Sequence, residues 1–154
     1  SFTASAVGEV NVVIEMKRVG AIIGGEGNGG IICPEIHYGR DALVGVALFL
    51  SLLVERKKSV SDIRASYPSY FMSKNKIILK KEVDVAQIFK TIKRKYRNNN
   101  MSTVDGLKID FSEEWIHLRK SNTESIIRVI TEAKTQVSAD DLAKKFVNEI
   151  KQLF

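Results

Sequence analysis

Apolar positions are spaced differently in the two halves of the chain. Residues 8–18 set Val and Ile among Glu, Asn and Lys, which predicts a short helix. Ala21-Ile22-Ile23 is a brief apolar run ending on Gly24-Gly25, which suits a buried strand feeding a loop; Gly29 to Cys33 suits the returning strand. From Arg40 to Lys57 apolar side chains fall almost all round, predicting a long, mostly buried helix, and Ser59 to Ser66 adds a short one. Pro68 closes this segment, because the residue before a proline is pushed out of the helical region, and a domain boundary is expected near it.

The second half alternates more regularly. Tyr70 to Lys80 reads as a strand. Asp84 is placed to cap a helix in which Val85, Ile88, Phe89, Ile92 and Tyr96 form one stripe. Asn98-Asn99-Asn100 reads as a loop and Asp105-Gly106 as a turn. Leu107, Ile109 and Phe111 alternate with polar residues, as a strand facing a core on one side does. Ser112-Glu113-Glu114 connects to a strand over Trp115 to Arg119, and another follows from Ser125 to Ala133. Ser138, with Asp141 three residues on, resembles a capping box for a last helix whose apolar side carries Leu142, Phe146, Ile150 and Leu153. The expected fold class is α+β: a partial α/β layer, then a small α+β domain of order β-α-β-β-β-α with its helices on one side of the sheet.

Composition narrows the setting. Of 154 residues, 44% are hydrophobic and 27% charged, the balance of a globular chain with a real core. Glu9, Glu15, Lys17 and Arg18 interrupt residues 1–20, so no secretory signal is expected there. Ala42 to Val54, the most apolar run, is too short to span a bilayer, and no membrane partner is expected. The single cysteine, Cys33, excludes an internal disulfide framework and fits a reducing, cytoplasmic location. One Cys and two distant His build no metal cluster, although carboxylates can bind Mg²⁺. The net charge of +6 belongs wholly to residues 69–154, which hold seventeen Lys/Arg against eleven Asp/Glu; residues 1–68 hold seven of each. Such a half attracts a phosphate ester, a nucleic acid or an acidic surface, and a solvated charged face explains it as well.

Two loops carry candidate chemistry. Gly24 to Gly30 holds five glycines in seven residues around Glu26 and Asn28. Glu26 can accept from two sugar hydroxyls at once, and Asn28 can donate and accept. A carboxylate repels phosphate, so this is sugar-recognition chemistry, with a plain glycine-rich turn as the competing reading. Arg119-Lys120-Ser121-Asn122-Thr123-Glu124 lies between two expected strands. It offers a guanidinium fork, two hydroxyls, an amide and several backbone N–H groups, and Arg128 on the next strand adds a second charge. The competing reading is a polar hairpin turn held by its own side chains.

The stretch Arg119 to Arg128, RKSNTESIIR, resembles the phosphate-binding motif of the α-D-phosphohexomutases, the superfamily of phosphomannomutase, phosphoglucomutase and phosphoglucosamine mutase. Gly25 to Gly30, GEGNGG, resembles the same family's sugar-specificity loop. Val7-Gly8-Glu9 and Thr103-Val104-Asp105-Gly106 sit where the family has similar short motifs. The likeness covers nearly the whole chain in order and spacing.

The resemblance implies that residues 1–66 are the latter part of a third domain bearing the sugar loop, and residues 69–154 a fourth domain bearing the phosphate loop. It implies that Glu26 and Asn28 contact sugar hydroxyls, while Arg119, Ser121, Asn122 and Thr123 hold the phosphate that is not transferred, with Arg128 beside them. The implied activity is an isomerase that interconverts hexose 1- and 6-phosphates through a phosphoserine and a hexose bisphosphate. The implied Mg²⁺ is held by an aspartate-rich loop. Neither phosphoserine motif nor metal loop is among these residues, so no catalytic or metal residue is assigned here, the isolated chain is expected to be inactive, and the N-terminal domains of a parent chain are its expected partners. Two positions depart from the pattern: Gly30 stands where the family often has His, leaving His37 as a substitute or a structural residue, and Ser125 stands where Pro is usual. The rival from another class is a small basic nucleic-acid-binding or interaction module using Lys90, Lys93, Arg94, Lys95 and Arg97.

Overall fold

The computed structural model describes residues 1–80 and 83–154. The chain divides into two compact units, Ser1–Pro68 and Ser69–Phe154.

The first unit contains α1 (Glu9–Val19), β1 (Gly24–Gly25), β2 (Ile31–Ile32), α2 (Ala42–Arg56) and α3 (Val60–Ala65). Strands β1 and β2 pair antiparallel, Gly24 opposite Ile32 and Gly25 opposite Ile31. A small core of Val12, Met16 and Ile32 joins α1 to this hairpin. Asp41 caps α2 by accepting from the Val44 N–H at 3.0 Å, and Ser59 and Asp62 form a reciprocal capping box on α3.

Two expectations fail in this unit for one reason. Ile22 and Ile23 do not lie in a buried strand: they precede β1 and stand exposed, Ile22 at 84%. Helix α2 forms over nearly the predicted span, but none of its residues is buried, and Leu43 and Val54 are 82% and 77% exposed. A helix that is apolar all round needs neighbours on every side. The two-stranded hairpin is too small to cover it, so the sequence reports a burial that the described residues do not supply.

The second unit runs β3 (Phe71–Ile78), α4 (Val85–Lys95), β4 (Asn100–Ser102), β5 (Leu107–Asp110), β6 (Trp115–Lys120), β7 (Ile126–Ala133) and α5 (Gln136–Lys151). Its antiparallel sheet has the order β3-β7-β6-β5-β4. The short strand β4 adds one element to the expected order: Asn100, read as loop, begins it opposite Asp110. Three residues with Asn at the head give too little alternation to show in the pattern.

One core joins α4 and α5 to the sheet. It buries Val85, Ile88 and Ile92 from α4, Leu142, Phe146 and Ile150 from α5, and Ile77, Leu107, Ile109, Ile116, Leu118, Ile127 and Val129 from the strands. Side chains alternate across a strand, so Arg119 and Arg128 lie on the face turned away from the helices. The cap of α5 differs from expectation. Thr135, not Ser138, is the N-cap, its hydroxyl accepting from the Ser138 N–H at 3.1 Å; the helix therefore starts two residues before Ser138. Leu153 lies beyond the helix and is exposed.

Candidate functional site

The strand ladders fix where the residues of the 119–128 stretch stand. Arg119 is the next-to-last residue of β6 and pairs in register with Arg128 of β7; Arg128 pairs in turn with Lys76 of β3. Cross-strand partners share a face. Three cations from three strands thus form one row beside the 121–125 loop. Like charges placed directly opposite one another are unfavourable unless an anion or a carboxylate intervenes.

The loop itself is closed by backbone bonds at its base. The Ser121 N–H donates to the Ile126 carbonyl at 3.0 Å, and the Ile126 N–H to the Glu124 carbonyl at 2.8 Å. Ser121 is buried, 6% exposed, and its hydroxyl accepts from the N–H groups of Thr123 and Glu124 at 3.4 and 3.3 Å. The Thr123 hydroxyl is 3.4 Å from the Ser121 hydroxyl. All three are long contacts, and they hold the turn in a shape whose N–H groups converge on one oxygen. Asn122 and Thr123 are exposed at the tip. The sequence offered two readings, N–H groups aimed at a ligand or a turn held by its own side chains; here the Ser121 hydroxyl occupies two of the N–H groups, so an incoming anion would share or displace it.

Arg119 is held as well. Its Nη1 donates to Asp105 Oδ2 at 3.2 Å, and both side chains are 26% exposed. The sequence marks Asp105 as a turn residue within a short stretch that resembles a family motif, with no role assigned, and Lys76 only as a polar strand position. Nothing local signals that Asp105 meets Arg119 or that Lys76 stands opposite Arg128, since both relations join distant segments.

In the first unit, Glu26 and Asn28 sit on the loop between β1 and β2, and both are engaged. Glu26 Oε1 accepts the Gly8 N–H at 3.2 Å, which ties the loop to the start of α1. Asn28 Oδ1 accepts the Gly30 N–H at 3.0 Å and curls the loop back on itself. Glu26 keeps a second carboxylate oxygen, and Asn28 an amide NH₂, for hydroxyl groups. The side chain of Arg40, paired with Glu9 at 2.7 Å, lies 2.7 Å from where a Cβ on Gly30 would stand. A larger residue at Gly30 therefore requires Arg40 to move. His37 faces Asp41 at 3.1 Å, the same carboxylate that caps α2. The Asp41 carboxyl is held below the usual range by the Val44 N–H and then by His37. His37 thus stands in the capping arrangement of α2.

The basic helix offers little to a nucleic acid. Lys93, Arg94 and Lys95 fill the last turn of α4, where they complement the helix dipole, and Lys95 pairs with Glu149 at 2.9 Å. Tyr96 is stacked on Phe146 with ring centres 4.9 Å apart, packed against the core instead of presented for base stacking. The charged run from Lys74 to Arg97 includes Lys81 and Glu82, which lie outside the described residues. Among the described residues no group of three or more His, Cys, Asp or Glu side chains is placed to hold a metal ion, and no helix is long and apolar enough to cross a membrane.

Comparison with known proteins bears on the family of the chain. Residues 1–70 match the family model "Phosphoglucomutase/phosphomannomutase, alpha/beta/alpha domain III", and residues 72–149 match "Phosphoglucomutase/phosphomannomutase, C-terminal domain". A phosphoglucosamine/phosphogalactosamine mutase of Sulfurisphaera tokodaii is 35% identical over 149 residues, which are 96% of this chain and 32% of that protein. A probable phosphoglucosamine mutase of Methanopyrus kandleri is 29% identical over 95% of this chain and 32% of its own length. The chain thus spans about a third of the relatives it matches. The crystal structure of a phosphoglucomutase/phosphomannomutase family protein from Burkholderia thailandensis superposes with a TM-score of 0.73 at 20% identity, covering 96% of this chain and 32% of that one. The superposition shows a shared fold, and the matched models give the family: the chain belongs to the phosphoglucomutase/phosphomannomutase family, whose third-domain and C-terminal-domain models cover it in succession.

Proposed function

We propose that this chain is the substrate-holding part of a phosphohexomutase of the phosphoglucosamine mutase type, an isomerase that moves a phosphoryl group between the two ends of a hexose. Arg119, Ser121, Asn122, Thr123 and Arg128 hold the phosphate that stays in place, and Glu26 and Asn28 bond sugar hydroxyls. On this reading residues 1–66 are part of a third domain and residues 69–154 a fourth. The observation that carries it is the cation row Lys76, Arg128, Arg119 set beside a loop whose N–H groups already converge on an oxygen. A phosphate dianion answers both features, since an Arg fork matches two of its oxygens and turn N–H groups take a third.

Gripping one phosphate at a fixed place is a positioning task. It can supply several kcal/mol of barrier reduction without any covalent step. The near-threefold symmetry of a phosphate lets the same donors hold either end of the sugar bisphosphate. The reacting serine and the Mg²⁺ loop are assigned to other domains of a parent cytoplasmic enzyme, and the isolated chain is expected to give no mutase turnover.

The test is a ¹⁵N chemical-shift titration of the chain with glucosamine 6-phosphate, with mannose 6-phosphate and glucose 6-phosphate in parallel. Saturable shifts at 119–123 and 128, lost in Arg119→Ala, support the assignment. Titration to millimolar phosphosugar without shifts in that loop overturns it, and turnover by the chain alone overturns the assignment of the chemistry to other domains.

A further inference from the structure

Three independent contacts press the 103–106 turn onto β6. Gly106 has φ 75°, and a Cβ there would stand 2.2 Å from the Leu118 carbonyl oxygen and 3.2 Å from the Arg119 Cα. The turn backbone therefore lies directly against the residue whose side chain serves the anion loop. The His117 Nε2 reaches the Asp105 carbonyl at 2.5 Å. A carbonyl only accepts, so Nε2 carries the proton in this contact. The third contact is the Asp105 carboxylate on Arg119 Nη1.

We infer that Asp105 is a positioning residue for the anion loop: the turn delivers its carboxylate to Arg119 and so aims the guanidinium at the 121–123 turn. This rests on the phosphate reading of that loop. The geometry suits the role. A guanidinium has five N–H donors, and the pair with Asp105 uses one, at Nη1. A long side chain left free would lose rotamer entropy on meeting a ligand, whereas one already oriented does not. The carboxylate also lowers the repulsion between Arg119 and Arg128 in the ligand-free protein. The close approach at Gly106 and the His117 contact keep the carboxylate from swinging away.

The experiment uses the whole chain in five forms: wild type, Asp105→Ala, Asp105→Asn, Arg119→Lys and the double variant Asp105→Ala/Arg119→Lys. Glucose 6-phosphate affinity is measured by titration calorimetry, and Arg119 side-chain order by ¹⁵N relaxation of its guanidinium. The expected results are about tenfold weaker binding in Asp105→Ala and recovery to within about threefold in Asp105→Asn, whose amide carbonyl still accepts from Nη1. In the Arg119→Lys background the further loss should be less than about twofold, because the effect passes through Arg119. Equal losses in both backgrounds would reveal a merely structural role, and tighter binding in Asp105→Ala would show competition instead of orientation; either overturns the inference. The relaxation measurement needs no ligand. If wild type binds no phosphosugar, the phosphate reading fails, and Arg119 still has to gain mobility in Asp105→Ala for the orienting contact to stand.

Discussion

Arg119 of β6 and Arg128 of β7 are direct cross-strand partners on the sheet face turned away from the helices, with Lys76 next in the row. Such a pair costs the ligand-free sheet roughly 0.2–1 kcal/mol. An anion that binds between these cations converts the cost into affinity. Urea unfolding in phosphate and in chloride at equal ionic strength should therefore differ. At about 100 times the dissociation constant, phosphate should add about 2.7 kcal/mol. Arg128→Ala should match or exceed wild type in chloride and lose more than half of the phosphate gain. An equal gain in both proteins would remove Arg128 from the site.

Gly106→Ala should destabilise the second unit by about 1–3 kcal/mol, because the residue sits at φ 75° and its new methyl would meet the Leu118 carbonyl. Equilibrium denaturation followed at Trp115 reads this directly, since Trp115 lies on β6 and donates to Glu132 at 2.9 Å. A loss below about 0.5 kcal/mol would mean the turn relaxes freely, as surface substitutions do.

Thr135→Ala should cost about 1 kcal/mol as the true cap of α5, and Ser138→Ala clearly less. The comparison by thermal melt separates the observed cap from the one the sequence pattern favours. Equal losses would place the helix start at Ser138 after all.

Tyr96 sets an alkaline limit. Its phenol is pushed above the ordinary range, first by burial and then by its hydrogen bond to Glu149 and that carboxylate's charge. An unfolded tyrosine ionises near about pH 10. A raised folded value makes the contribution complete below that pH and lost as pH climbs through and above it. Wild-type stability should fall above about pH 10, and Tyr96→Phe should fall less steeply. At neutral pH Tyr96→Phe should cost about 0.5–1.5 kcal/mol for the missing hydrogen bond. Parallel pH profiles for the two proteins would contradict this account.

Most of the second unit was legible because its segments bury one face each. The stripe Val85, Ile88, Ile92 and the alternation Leu107, Ile109 follow from a single core on one side of one sheet. Strand β4 escaped because three residues beginning with Asn hold no periodic signal. Helix α2 shows the opposite failure: its apolar residues were recognised, but recognition of apolarity does not say what covers it. Ser138 looked like a cap because Asp141 follows at the right spacing, yet Thr135 reaches the Ser138 N–H first and the helix begins earlier. At the candidate site, local chemistry marked Arg119, Ser121, Asn122 and Thr123. Lys76 arrives through strand register and Asp105 through the 103–106 turn, and no short window of sequence contains either relation to the loop.

The ladder between β3 and β7 opposes Phe71 to Ala133 and Ile78 to Ile126, so the opening strand of the second unit is zipped to its closing one. A ribosome must deliver nearly the whole unit before that strand finds its mate, and contacts so distant along the chain are slow to close. The 121–125 loop joins β6 to β7, and a nascent polypeptide halted before Ile126 would hold Arg119 without its cross-strand partner Arg128.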